Sequence, residues 1–179
     1  RDAGISSTVI HRVLRPFLTG VLLESDLVTS RHFVDLVLRT FVAGTPAVPA
    51  RGMGAIPEQL AGRLDPDRLR LNTPVHTIDT LSDGVRVSTD TGSLSARLAI
   101  IATDASTART FIPHLPEPRW HAVTTWYHLA PEDAPTLTWG QPWLAVDGRP
   151  RGPAINSVVL THAAPEYAPG RTLVSTSAL

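Results

Sequence analysis

The feature that most constrains this chain is a change of texture near Arg68. From there to Thr103 the sequence runs "RLRLN", "VHTIDTLS", "VRVSTD" and "SARLAIIAT", short and partly alternating stretches rich in β-branched residues. Such stretches suit a pleated, half-buried surface and not a helix. Asp83-Gly84 separates two of them and Asp90-Thr91-Gly92-Ser93 marks another turn, so the spacing predicts a β-meander. Ala99 to Ala102 is apolar on both faces, which predicts a buried strand. Asp104 is placed to cap a short helix over Ala105 to Ile112.

Helical periodicity rules before the change. Ile5, Val9, Ile10, Val13 and Leu14 form one stripe, which Pro16 is expected to end or kink. Residues 33, 34, 37, 38, 41 and 42 form another, with Ser30 as N-cap and Gly44 as stop. Arg31, Asp35 and Arg39 lie on its opposite, solvated face. A Pro- and Gly-rich connection, "GTPAVPARG", leads to a third helix from Ile56 to Leu64, with Pro57 in its first turn. Beyond Trp120, "WHAVTTWYHLA", "TLTW", "PWLAVD", "AINSVVL" and "RTLVSTS" read as further strands between Pro- and Gly-rich loops. The fold class is therefore α+β: N-terminal helices, a β-meander and a mostly antiparallel sheet.

Composition removes several functions. The 179 residues carry 16 basic and 16 acidic groups, so net charge favours neither nucleic acid nor an anionic membrane. All the basic residues are Arg; without Lys a P-loop is excluded. Without Cys there are neither disulfides nor thiolate metal sites, and a reducing cytoplasm fits. No apolar run approaches the roughly 18 residues of a membrane helix. His11, His32, His76, His114, His121, His128 and His162 form no H-x-x-x-H or H-E-x-x-H motif, so no metal is expected. A G-x-S-x-G elbow is missing as well.

Gly52-Met53-Gly54 precedes a helix and invites comparison with a dinucleotide loop. The fingerprint needs a preceding strand and a third Gly three residues on. Here a Pro-rich loop precedes, and Pro57 holds the third position. A turn into a helix explains the two glycines.

The series from Pro49 to His114 nevertheless resembles the flavin-dependent amine oxidase, phytoene desaturase and protoporphyrinogen oxidase-like superfamily. Its pieces are Gly52-Met53-Gly54 with Leu60 and Leu64; Leu71 to Ile78 as "N-x-x-V-x-x-I"; Asp83 to Val87 with Gly92; and Ile100-Ile101-Ala102-Thr103. One glycine of the usual pair is displaced, and the family's N-terminal G-x-G-x-x-G unit and C-terminal "G-D" segment are not in this sequence. The chain looks like an internal fragment of such an enzyme. FAD is then expected in the full-length protein and not on the fragment alone.

The resemblance implies roles for particular residues. Val75, flanked by Pro74 and His76, matches the valine whose main chain meets the FAD adenine; an ordinary strand residue is the alternative. Ala102 and Thr103 match small residues beside the diphosphate and ribose, or simply end a strand. Arg51, Gly52 and Met53 match a turn on the flavin side, where a positive charge would stabilise the reduced, anionic ring; a surface arginine is the alternative. Trp126, Tyr127 and Trp143 fall on strands that in the family line the substrate pocket, although core filling explains isolated aromatics more often. No catalytic residue stands out, as expected where a flavin carries the redox chemistry.

By the same resemblance, residues 1–48 form the helical part of a substrate domain, 49–115 the FAD-domain helix and meander, and 116–179 the substrate-domain strands. The expected activity is oxidation of a C–N or C–C bond in an amine or an apolar, isoprenoid- or porphyrinogen-like small molecule. A cofactor-free, β-rich binding or scaffolding domain is the alternative. The two differ over Leu98 to Ala102. Left without a partner sheet, that stretch would form an exposed apolar patch open to self-association; covered by this chain alone, it would favour the binding domain.

Overall fold

The computed structural model describes residues 4–131, 138–149 and 152–179. The chain divides into two units, Arg1–Gln59 with His121–Leu179, and Leu60–Trp120.

In the first unit, Ser6 caps α1 (Ser7–Val9) through a 3.3 Å hydrogen bond from the Val9 amide. Helix continues through a π turn, Ile10–Leu14, into α2 (Arg15–Leu22). Of the two outcomes expected at Pro16, an end or a kink, the helix does not end; it departs from α geometry in the turn before the proline. A proline ring collides with the carbonyl four residues back, here Arg12, and offers it no N–H. The wider π turn sits where that collision would fall, and Gly148 approaches the same carbonyl. A Cβ on Gly148 would stand 2.6 Å from the Arg12 oxygen. Leu23 stops α2 in the left-handed region, φ 56°.

The following loop is tied by buried Glu24, which accepts a 2.6 Å hydrogen bond from the Thr29 amide. Hydrogen bonding from Thr29, its side chain first, holds the Glu24 carboxyl below its usual range. His121 Nδ1–H donates to the Leu23 carbonyl at 3.0 Å and closes the loop. α3 (Arg31–Ala43) follows, and Phe41 meets Phe17 edge to face at 5.7 Å. Ser30 is its N-cap by position, through its carbonyl and without a side-chain bond. α4 (Ala55–Ala61) is the third expected helix.

The meander forms with three strands: β1 (Val75–Leu81), β2 (Gly84–Thr89) and β3 (Gly92–Ala96), antiparallel in that order. "RLRLN" is not a strand. Pro66–Arg68 is a 3₁₀ turn capped by Asp65, and Asn72 takes φ 52°, which an extended strand cannot accommodate. Leu98 to Ala102 is not a strand either, and it is not buried: Leu98 is 74% and Ile100 85% exposed. A ladder needs a neighbour, and β3 ends at Ala96 with no strand paired beyond it among the described residues. α5 (Ala105–Phe111) follows, capped by Asp104 as expected.

β4 (Thr124–Leu129), β5 (Leu144–Val146), β6 (Ala154–Val159) and β7 (Leu173–Ala178) form a second antiparallel sheet, in the order β4-β7-β6-β5. A short helix, α6 (Leu160–Ala163), joins β6 towards β7. Of "TLTW", Thr136 and Leu137 lie outside the described residues. Thr138 and Trp139 form a turn, with Gln141 N–H donating to the Thr138 carbonyl at 2.8 Å. The buried apolar residues are Leu22, Val159, Ala164, Val174 and Ala178, so the core of this unit lies where α2 and α6 meet the central strands. Ser157 and Thr176, opposite one another on β6 and β7, pair their hydroxyls at 2.9 Å. Among the described residues of Leu60–Trp120 none is buried. The architecture is α+β.

Candidate functional site

Arg51, Gly52 and Met53 lie in a turn that leads into α4. The Gly52 N–H donates to the Pro49 carbonyl at 2.9 Å, and the Ala55 N–H donates back to the Gly52 carbonyl at 3.1 Å. Gly52 has φ +87°, a conformation that favours glycine, and open space surrounds the place of its missing Cβ. Gly54 is equally open and has no such φ. The Arg51 guanidinium stands 3.9 Å from the Glu58 carboxylate, both well exposed. A pair this exposed holds the two side chains together only weakly, so the guanidinium can leave Glu58 for another anion. A cleft of about 440 Å³ opens here, lined by Pro49, Arg51, Ala55, Ile56, Glu58 and Gln59. Met53 is exposed beside it.

Pro74, Val75 and His76 stand where β1 begins, in the other unit. Val75 pairs with Thr89 and Thr77 with Ser88. Two steps on β1 thus match one on β2, and His76 is the extra residue of a β-bulge. Bulges bend a strand and re-aim its backbone, and they are frequent beside binding sites. His76 Nε2 contacts Asp90 Oδ1 in the turn between β2 and β3. The sequence offered no sign of the bulge and presented Asp90 only as a turn residue. An acidic residue in a tight Asp-Thr-Gly turn, one strand away from a histidine, is the signal that could have suggested the pair.

Ala102 and Thr103 are exposed and lie immediately before α5. The Thr103 hydroxyl donates to the Asp104 carbonyl at 3.1 Å. Asp104 accepts from the Thr107 hydroxyl at 2.6 Å and the Thr107 amide at 3.0 Å. These bonds, the side-chain one first, hold its carboxyl below the usual range.

The three aromatic candidates do not share one place. Trp126 and Tyr127 are consecutive on β4 and point to opposite faces of the sheet. Trp143 stands beside β5, on the other edge of the sheet. Three strand spacings separate these edges, about 14 Å. Trp143 packs instead on Trp139, edge to face at 5.8 Å. All three candidates are half or more exposed, so none fills the core of this chain.

Of the residues offered for a flavin nucleotide, Val75 and Ala102 are exposed, and Gly52 has open space in place of a Cβ. Fixed backbone donors and acceptors suit a nucleotide, so these segments fit such a group. Among the described residues no helix is long and apolar enough to cross a membrane.

The sequence profile of the family described as flavin-containing amine oxidoreductase matches residues 1–178. No curated protein sequence matches the chain. Among solved structures, a crystal structure from Exiguobacterium sp. 255-15 of a protein assigned as a protoporphyrinogen oxidase is similar, at 18% identity and a TM-score of 0.48. The likeness covers 72% of this chain and 30% of that one. The chain therefore spans less than a third of that protein's length.

Proposed function

Because the chain belongs to the flavin-containing amine oxidoreductase family, we propose that the whole protein is an FAD-dependent oxidoreductase. The family match over nearly the whole chain carries this reading. In it, residues 49–115 belong to the FAD-binding part, and residues 1–48 and 116–179 to the substrate domain. The uncovered Leu98 and Ile100 support the assignment, because a self-sufficient binding domain would bury such a strip.

Bound FAD would supply the redox chemistry, as acceptor of the hydride equivalent lost from a C–H bond when a CH–NH or CH–CH unit is oxidised to C=N or C=C with loss of a proton. This chain's residues hold and orient the cofactor. Val75, between Pro74 and His76, offers main-chain groups to the adenine. Ala102 and Thr103 leave room for the backbone to approach the diphosphate and ribose. The Gly52 turn, with Met53, allows close approach on the flavin side, and Arg51 places a positive charge where reduced flavin is anionic. Trp126, Tyr127 and Trp143, each half or more exposed, offer separate apolar contacts on different faces and edges of the sheet to an amine or an isoprenoid- or porphyrinogen-like substrate.

Anaerobic mixing of the flavin-loaded whole protein with amines, porphyrinogens and polyenes tests the activity. Bleaching by one of these classes is the expected result and names the substrate class. A flavin that none of them reduces, while dithionite does, contradicts the proposed chemistry.

A further inference from the structure

We propose that the contact between His76 and Asp90 is a clamp that fixes the β-bulge and so positions the Val75 main chain for the adenine half of the nucleotide. The inference rests on the flavin reading above and assigns a positioning role to two side chains.

The extra residue of a bulge is left without a ladder partner, so its placement is set by something other than the sheet. At this bulge the register advances from Val75↔Thr89 to Thr77↔Ser88, which leaves His76 unpaired. Its imidazole reaches Asp90, the residue that follows Val75's own partner on β2. An ionised carboxylate only accepts, so Nε2 carries the proton and donates it.

The turn that carries Asp90 is braced on either side of it. The Thr89 hydroxyl donates to the Gly92 carbonyl at 2.8 Å, and the Thr91 amide donates to the Thr89 hydroxyl at 3.3 Å. The backbone of Asp90 is thus anchored between Thr89 and Thr91, and its carboxylate meets the histidine. With side chains 54% and 59% exposed, the pair contributes little to stability, as exposed pairs do. What it determines is the orientation of the peptide groups on either side of His76.

Titration calorimetry on the flavin-free whole protein tests this, with ADP as the adenine half and with FAD. His76→Ala and Asp90→Asn should each raise both Kd values by about three- to tenfold, the scale of one exposed charge-assisted hydrogen bond. The double substitution should be no worse than either alone, because both remove one contact. His76→Gln, which keeps an N–H donor, should recover most of the loss. The melting temperature of the flavin-free protein should move by no more than about 2 °C.

Unchanged Kd values in the variants, or effects that add, overturn the clamp while leaving the flavin reading in place. Weakened binding that follows a large fall in melting temperature and is not restored by glutamine reports general destabilisation, and overturns it too. A wild-type protein that takes up neither ligand overturns the flavin reading and the clamp with it.

Discussion

Replacing Gly84 by alanine should open the meander at its middle strand. Gly84 starts β2, opposite Leu81, and its backbone passes close to the end of β3. An added Cβ would lie 3.2 Å from the Ala96 carbonyl carbon, 3.3 Å from Arg97 Cα, and nearer still to the Ala96 oxygen. Non-bonded carbons settle at about 3.5–4.0 Å, so β2 and β3 must part by roughly half an ångström or more at Val85↔Ala96. All the crowding atoms are backbone, so no side chain can turn aside to relieve them. Losing one ladder hydrogen bond costs about 0.5–1.5 kcal/mol and strain adds about 1–3 kcal/mol. Stiffening the unfolded chain returns about 0.4–1 kcal/mol, which leaves a net loss of about 0.5–4 kcal/mol, with its middle near 2 kcal/mol. Urea unfolding gives the free energy, and hydrogen exchange by mass spectrometry gives its place, with faster exchange confined to β2 and β3. A Gly84→Ala protein of wild-type stability with unchanged exchange in these strands would refute the register and the reasoning built on it.

Other substitutions separate local causes. Gly52→Ala should cost about 1 kcal/mol, because alanine must take a positive φ there, while Gly54→Ala should stay within about 0.5 kcal/mol; the two urea midpoints decide. Asp104 has a depressed pKa in the folded chain, so the stability it adds is present above its unfolded value and is lost as pH falls through the folded one. The protection of the Thr107 amide, its exchange rate relative to the intrinsic rate at the same pH, should therefore fall on acidification below the ordinary carboxylate range, and Asp104→Ala should show that low protection already at neutral pH.

Elements marked by period, caps and turn residues were legible in the sequence. α3, α4, α5 with its Asp104 cap, the strands β1 and β2, and the later strands β4 to β7 follow from period, caps and turn residues. Where partners decide, the reading failed. Leu98 to Ala102 has the composition of a buried strand, yet no strand of the described chain pairs with it. Pro16 reads as a helix end or kink, and the sequence does not announce which, because the π turn that absorbs the ring leaves no mark in it. Gly84 reads as half of an Asp-Gly turn, but it pairs with Leu81 and is needed for the close approach of β3. The His76–Asp90 contact depends on a bulge, a register event that period-2 alternation conceals. Trp126, Tyr127 and Trp143 look alike in sequence; strand order and side-chain alternation put them on different faces and edges.

The most direct test of the account is the visible absorbance spectrum of the whole protein, purified without added cofactor. The account predicts flavin bands, lost or weakened when Val75→Pro removes a main-chain donor from the proposed adenine contact. A colourless whole protein that also refuses added FAD would contradict it.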